Sequence, residues 1–147
     1  MLDLRSALTN IARRRNYKLD ELSPDVWRLD VAIPLKDGKF RYQFVYVRVV
    51  PKRWFQQKDA ILIDSRCGTF SQSLNLYNLL KEGGYGFYSA VTVINDKDKE
   101  GKPCETVIVQ SSPVVEWTTP ELLDEMIFEV AYNADLIEER FFGGDNH

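Results

Sequence analysis

The apolar positions of the chain change their period along its length, and each change predicts an element. Leu4, Leu8, Ile11 and Ala12 recur at helical spacing, followed by Arg13, Arg14 and Arg15 where cations complement a helix dipole. That pattern predicts a short amphipathic helix. From Val26 the period becomes two: Trp27, Leu29, Val31, Ile33 and Leu35 alternate with Arg28, Asp30, Ala32 and Pro34, as in a half-buried strand. Asp37-Gly38 then reads as a type I′ hairpin turn. With a loop of those two residues alone, Lys36 pairs with Lys39, and Ile33, Val31 and Leu29 face Tyr42, Phe44 and Tyr46 on the core side. Val45, Val47 and Val49 then emerge on the opposite face.

A third strand, AILIDSRC, alternates Ile61 and Ile63 with Leu62, Asp64 and Arg66. It follows the loop VPKRWFQQKD, in which Pro51 ends the pairing and Trp54 and Phe55 stand among polar residues. Beyond Gly68, Ser71 or Ser73 is placed to cap a short helix carrying Leu74, Tyr77, Leu79 and Leu80, stopped by Gly83-Gly84. FYSAVTVIN and TVIVQSS predict two further strands. In WTTPELLDEM, Thr119 supplies an N-cap, Pro120 suits the first helical position, and Glu121 and Asp124 favour the positive end of the dipole. Leu123, Met126, Ile127, Val130, Ala134 and Ile137 continue that helix until Gly143-Gly144. The expected fold is α+β: an antiparallel five-stranded sheet with flanking helices in the order α-β-β-β-α-β-β-α, as one domain over residues 1–147.

Composition narrows the function. At 147 residues, 44% hydrophobic and 28% charged, the chain suits one ordinary globular core. No apolar run approaches the length of a membrane span, and MLDLRSALTNIARRRN lacks the order of a signal peptide, so the expectation is a cytoplasmic protein without a membrane partner. The net charge of -3 is unevenly spread: +3 over residues 1–20, +6 over 36–58 and -7 over 121–145. A basic sheet edge attracts phosphate backbones, yet the isoelectric point near 5.2 and the acidic closing helix argue against nucleic acid as partner.

The stretch INDKDKEGKPCET, Ile94 to Thr106, begins like a calcium loop, with Asp96, Asp98, Glu100 and Gly101 in the first half of the pattern. The twelfth position, however, is Val107 and the eighth is Pro103, and the flanks are strand-like runs where an EF-hand needs helices. A solvated hairpin loop is expected, with no metal. The single histidine is the last residue, His147, so Ser/His/Asp and Cys/His catalytic arrangements are not expected. GGYG lacks a lysine and precedes a strand, unlike a phosphate loop. Cys67 and Cys104 stand in no metal or redox spacing. Glu138 and Glu139 read as a solvated helix face, and Asp64 with Arg66 as a surface pair. No catalytic residue and no cofactor is expected.

The helix, three antiparallel strands, short helix, two strands and long closing helix resemble the YbjN-like family, which shares the fold of type III secretion chaperones. The similarity runs from about Leu4 to Phe142 and is clearest in TTPELLDEMIFEVAYNAD, which leads into the last helix through Ala134-Asp135. The resemblance implies a non-enzymatic, often dimeric, chaperone-like or regulatory domain that binds a protein or peptide.

Two functional readings follow. The first is a protein-interaction module that pairs with a client or with itself, a homodimer, through the second sheet face: Val45, Val47, Val49 and Leu62 fringed by Arg28 and Arg66. Trp54 and Phe55 either anchor that partner or fold back on the sheet edge; a helix covering the second face is the competing structural reading. The alternative is a small-molecule binding domain with an aromatic pocket of Tyr42, Phe44 and Tyr46 between the sheet and the C-terminal helix.

Overall fold

The computed structural model describes residues 2–52, 57–82 and 86–143. Helix α1 (Leu4–Arg15) is capped by Asp3, whose carboxylate accepts hydrogen bonds from the Ser6 N–H at 3.2 Å and the Ser6 hydroxyl at 3.0 Å. It ends at Asn16, left-handed at φ 59°, whose N–H returns to the carbonyls of Ala12 and Arg13. Six strands follow or alternate with two more helices: β1 (Lys18–Ser23), β2 (Val26–Pro34), β3 (Phe40–Val50), β4 (Ala60–Thr69), α2 (Leu76–Glu82), β5 (Ala90–Lys97), β6 (Pro103–Ser111) and α3 (Pro120–Phe141), the last preceded by a single 3-10 turn at Val115–Trp117.

The strands form one antiparallel sheet in the order β1-β2-β3-β4-β6-β5. The fold is thus α+β as expected, but the sheet has six strands, not five, and the element order is α-β-β-β-β-α-β-β-α. The additional strand is β1, whose sequence KLDELS carries too little apolar alternation to announce itself. It is an edge strand, and its charges are of the kind that discourage further pairing.

The β2–β3 hairpin corrects the expected register. Its loop is Lys36–Gly38, closed by the Leu35 N–H donating to the Lys39 carbonyl at 2.8 Å and the Gly38 N–H to the Leu35 carbonyl at 3.2 Å. Gly38 is left-handed, φ 80°, the conformation a three-residue hairpin loop needs. One residue more in the loop slips β3 by one position. Ile33, Val31, Leu29 and Trp27 therefore pair with Arg41, Gln43, Val45 and Val47, and the tyrosines turn to the other face.

Among the described residues the three helices lie on one side of this sheet. Helix α3 packs over β4, β3, β6 and β2, α1 over β1, and α2 against α3 through the buried Leu79. Leu8 and Ile11 of α1 and Leu123, Ile127, Val130 and Ile137 of α3 meet Leu29, Val31, Val45, Val47, Ile61 and Ile63 of the sheet in one core. Burying aliphatic side chains of this size stabilises by about 1.5–3 kcal/mol each. Thr119 caps α3 by accepting the Leu122 N–H at 3.1 Å, with Pro120 first in the helix, both as expected. The α2 cap differs: the Asn75 side chain, and neither Ser71 nor Ser73, accepts the Asn78 N–H. Trp54, Phe55, Gly83, Gly84, Gly144 and His147 lie outside the described residues.

Charges that looked solvated in the sequence join the layers. Asp124 of α3 is bound by Arg14 at 2.7 Å and Arg15 at 3.0 Å, which ties α1 to α3. Arg41 at the core-side end of β3 forks onto Asp135 at 2.6 Å and reaches Glu139 at 2.8 Å. Those two carboxylates hold its guanidinium more firmly protonated than usual. Glu138 is 1% exposed rather than on a solvated face, because α3 turns it toward β4, near Cys67.

Candidate functional site: the open sheet face

Side chains alternate across a strand, so each residue that β2, β3 and β4 give the core leaves a neighbour pointing the other way. On β3 those neighbours are Phe40, Tyr42, Phe44, Tyr46 and Arg48. No helix among the described residues covers them. Phe40 is 54% exposed, Tyr42 55% and Phe44 36%, large values for aromatic rings in mid-strand.

Arginines frame the aromatic row. The Arg28 guanidinium lies 4.8 Å from the Phe44 ring centre and donates to Asp20 of β1 at 2.9 Å. Arg66 lies 5.2 Å from the Tyr46 ring centre and donates from Nε to Asp96 of β5 at 2.9 Å. That guanidinium holds the Asp96 carboxyl at about 2, well below the usual carboxylate range. Asp64, cross-strand from Tyr46, is the reverse case: burial among its neighbours raises its carboxyl, and Arg66 and Arg48 pull it only part of the way back. An open concavity of about 710 Å³ runs over this area between Tyr42, Phe44, Tyr46, Arg48 and the end of β5. A second, of about 670 Å³, adjoins it beside Arg66, Asp96, Cys104 and Phe142.

The expected partner residues are divided by this geometry. Arg28, Leu62 and Arg66 share the open face. Val45 and Val47 do not: both are fully buried beneath the helices, and Val49 is half-buried on that same side, because the three-residue loop reversed β3. The patch of Val45, Val47 and Val49 with Leu62 is therefore not a surface. The pocket expected between sheet and closing helix is corrected for the same reason, since Tyr42, Phe44 and Tyr46 lie on the face away from α3. Sequence reasoning missed Phe40, Tyr42, Phe44 and Tyr46 as surface residues, yet a signal existed. The two-residue loop set Lys36 opposite Lys39, a like-charge pair that strands avoid, whereas the observed register pairs Lys39 with Leu35.

The 98–102 loop is built by its own carboxylate. Asp98 accepts the Glu100 and Lys102 N–H groups at 2.9 Å each, and Gly101 turns at φ 80°. Asp96 is directed to Arg66, away from that loop. Among the described residues no three His, Cys, Asp or Glu side chains gather around a point that would hold a metal ion, and no helix is long and apolar enough to cross a membrane. Cys67 is buried under the helices, which pushes its thiol up, while Cys104 is half-buried on the open face.

Fold and face together define an α+β domain that presents one side of a single antiparallel sheet. No protein-family model matches the chain, and a search of curated proteins finds no relative.

Proposed function

We propose that the chain is a non-enzymatic protein-interaction domain, chaperone-like or regulatory, whose open sheet face is its contact surface. One observation carries this reading: the row Phe40, Tyr42, Phe44 and Tyr46 stands on a face with no helix over it among the described residues. Exposed aromatic rings held by arginines are the composition of interface centres, where tyrosine, phenylalanine and arginine are enriched. The resemblance to YbjN-like and type III secretion chaperone-like proteins supports a protein or peptide as partner, in the cytoplasm. Nucleic acid is disfavoured, because Arg28 and Arg66 are already neutralised by Asp20 and Asp96.

The test is photo-crosslinking. A photoreactive phenylalanine analogue replacing Tyr42 should give crosslinked products heavier than one chain, and the same analogue at Thr9, exposed on α1, should give none. Tyr46→Asp in the same chain should abolish the products while circular dichroism remains native. Equal crosslinking from both positions, or none from Tyr42, overturns the reading.

A further inference from the structure

The open face is not flat, because β3 parts from β4 halfway along. Strand β3 pairs with β2 from Phe40 to Arg48, but with β4 only from Tyr46 to Val50. Beyond Tyr46 side chains bridge the gap. The Gln43 amide donates to the Ser65 hydroxyl at 3.0 Å and to the Arg66 carbonyl at 2.9 Å, and the Ser65 hydroxyl donates to the Phe44 carbonyl at 2.6 Å. Over this bridge lies the concavity of about 710 Å³, a groove with Tyr42, Phe44 and Tyr46 along one wall and the end of β5 along the other.

Cations mark both ends of that groove. Arg48 is level with Leu62 at one end. At the other, β5 carries Lys97 and Lys99 past the level of Thr69, which is aligned through Thr106 of β6 with Ile94. Among the described residues Arg48, Lys97 and Lys99 form no ion pair and no side-chain hydrogen bond. Of the two carboxylates in the lining, Asp96 is held by Arg66 and Asp64 has no such partner. Three free cations thus stand against one free carboxylate, a local surplus of two positive charges. The neighbouring loop answers its own acids: Asp98 is turned onto the Glu100 and Lys102 N–H groups, and Glu100 lies 3.6 Å from the Lys102 ammonium. Lys18 and Asp30, one charge of each sign, face each other in register across β1 and β2, on the far side of β3.

We propose that this groove takes an extended acidic segment of a partner protein, its apolar side chains on Tyr42, Phe44 and Tyr46 and a carboxylate at each end, one against Arg48 and one against Lys97 and Lys99. The inference rests on the interaction reading and names the partner's chemistry. From Tyr42 to Arg48 the lining follows β3 for six steps of strand, about 20 Å. Seven extended residues match that length, and alternate side chains share a face, so the first, third, fifth and seventh enter the groove. Carboxylates at the first and seventh then equal the surplus of two charges, and apolar residues at the third and fifth meet the rings. A nucleic-acid strand fits less well, because its continuous phosphates would also meet Asp64, Asp96 and Asp30 on the same face.

Fluorescence anisotropy with the dye-labelled peptide Glu-Ser-Leu-Ser-Phe-Ser-Glu tests this at low salt. The wild type should bind it saturably, more weakly as salt is added, and about tenfold or more tighter than the same peptide with glutamine at both ends. Arg48→Glu, and Lys97→Glu combined with Lys99→Glu, should each weaken binding about tenfold or more, with circular dichroism unchanged. Arg48→Gln serves where Arg48→Glu fails to fold. A peptide with lysine at one end should recover binding to Arg48→Glu, and the end that does so gives the direction of the segment along β3. Equal binding of the glutamate and glutamine peptides, charge variants that bind like the wild type, or no peptide binding overturns the proposal. No peptide binding while Tyr42 still crosslinks to a different protein overturns the acidic segment alone and leaves the interaction reading standing. Neither binding nor crosslinks overturns both. Tyr42 products made only with a second copy of this chain give the groove to that copy, and tighter binding of a seven-nucleotide oligouridylate replaces the peptide with nucleic acid.

Discussion

The two sides of β3 are equally apolar in sequence and opposite in fate. Val45 and Val47 are buried against α3, while Phe44 and Tyr46, one residue away along the chain, stand on a face without a helix. The covered side is closed by aliphatic packing and by ion pairs at its rim, such as Arg41 with Asp135. The open side carries rings and arginines whose contacts within the chain leave charges over. Hydrophobicity alone therefore does not say which side of a strand is the core. What decides is whether the rest of the chain supplies a matching surface.

Substitution by aspartate at adjacent positions should give the largest contrast. Val47→Asp places an unpaired charge under α3 and should cost about 4 kcal/mol or more, enough to unfold a domain of ordinary stability. Tyr46→Asp should change stability by only about 1 kcal/mol or less and act on association. Urea melts of the two variants check this; similar midpoints would erase the distinction between the faces. Next in size is Arg41→Ala, which strands Asp135 of α3 near the core and should cost about 3 kcal/mol. A loss no greater than that of an exposed pair would show that the rim bridge does not hold α3 to β3.

Asp64 should respond in the other direction. Its carboxyl is raised in the folded protein, so folding favours the neutral form: that contribution is present below the unfolded pKa, about 4, and lost as pH rises through the folded value. Asp64→Asn should then raise the melting temperature slightly at pH 7 and show no gain below about pH 4. Thermal melts at the two pH values test the sign. The smallest perturbation is chemical labelling. Under native conditions a thiol reagent should modify Cys104 and spare Cys67, whose burial keeps it from forming a thiolate. Fast reaction at Cys67 would mean that α3 does not protect its side of the sheet.

Much of the fold was legible from local signals. Leu4, Leu8, Ile11 and Ala12 define α1, and Thr119-Pro120 marks the start of α3 because a cap satisfies backbone groups within its own turn. Strands β2, β4, β5 and β6 follow their alternation or their β-branched runs. The edge strand β1 was not legible, since Lys18, Asp20 and Glu21 serve an exposed edge and break the apolar rhythm. The candidate site was legible in part: Arg28, Leu62 and Arg66 belong to it, while the valines of β3 were exchanged for the aromatic row.

By itself the sequence determined the class, the helices with their caps, most of the strands and an excess of apolar surface on β3, because these depend on residues close together in the chain. Only the tertiary structure decided which side of β3 that excess serves. A strand with two apolar faces has no preference of its own, so a one-residue difference in the Lys36–Gly38 loop, together with Asp135 of α3 waiting for Arg41, settled the register. The same packing sent the charges of Arg14, Arg15, Asp124 and Asp135 into the joints between elements, where pairing between distant parts of the chain gives them a role that spacing along the sequence does not reveal.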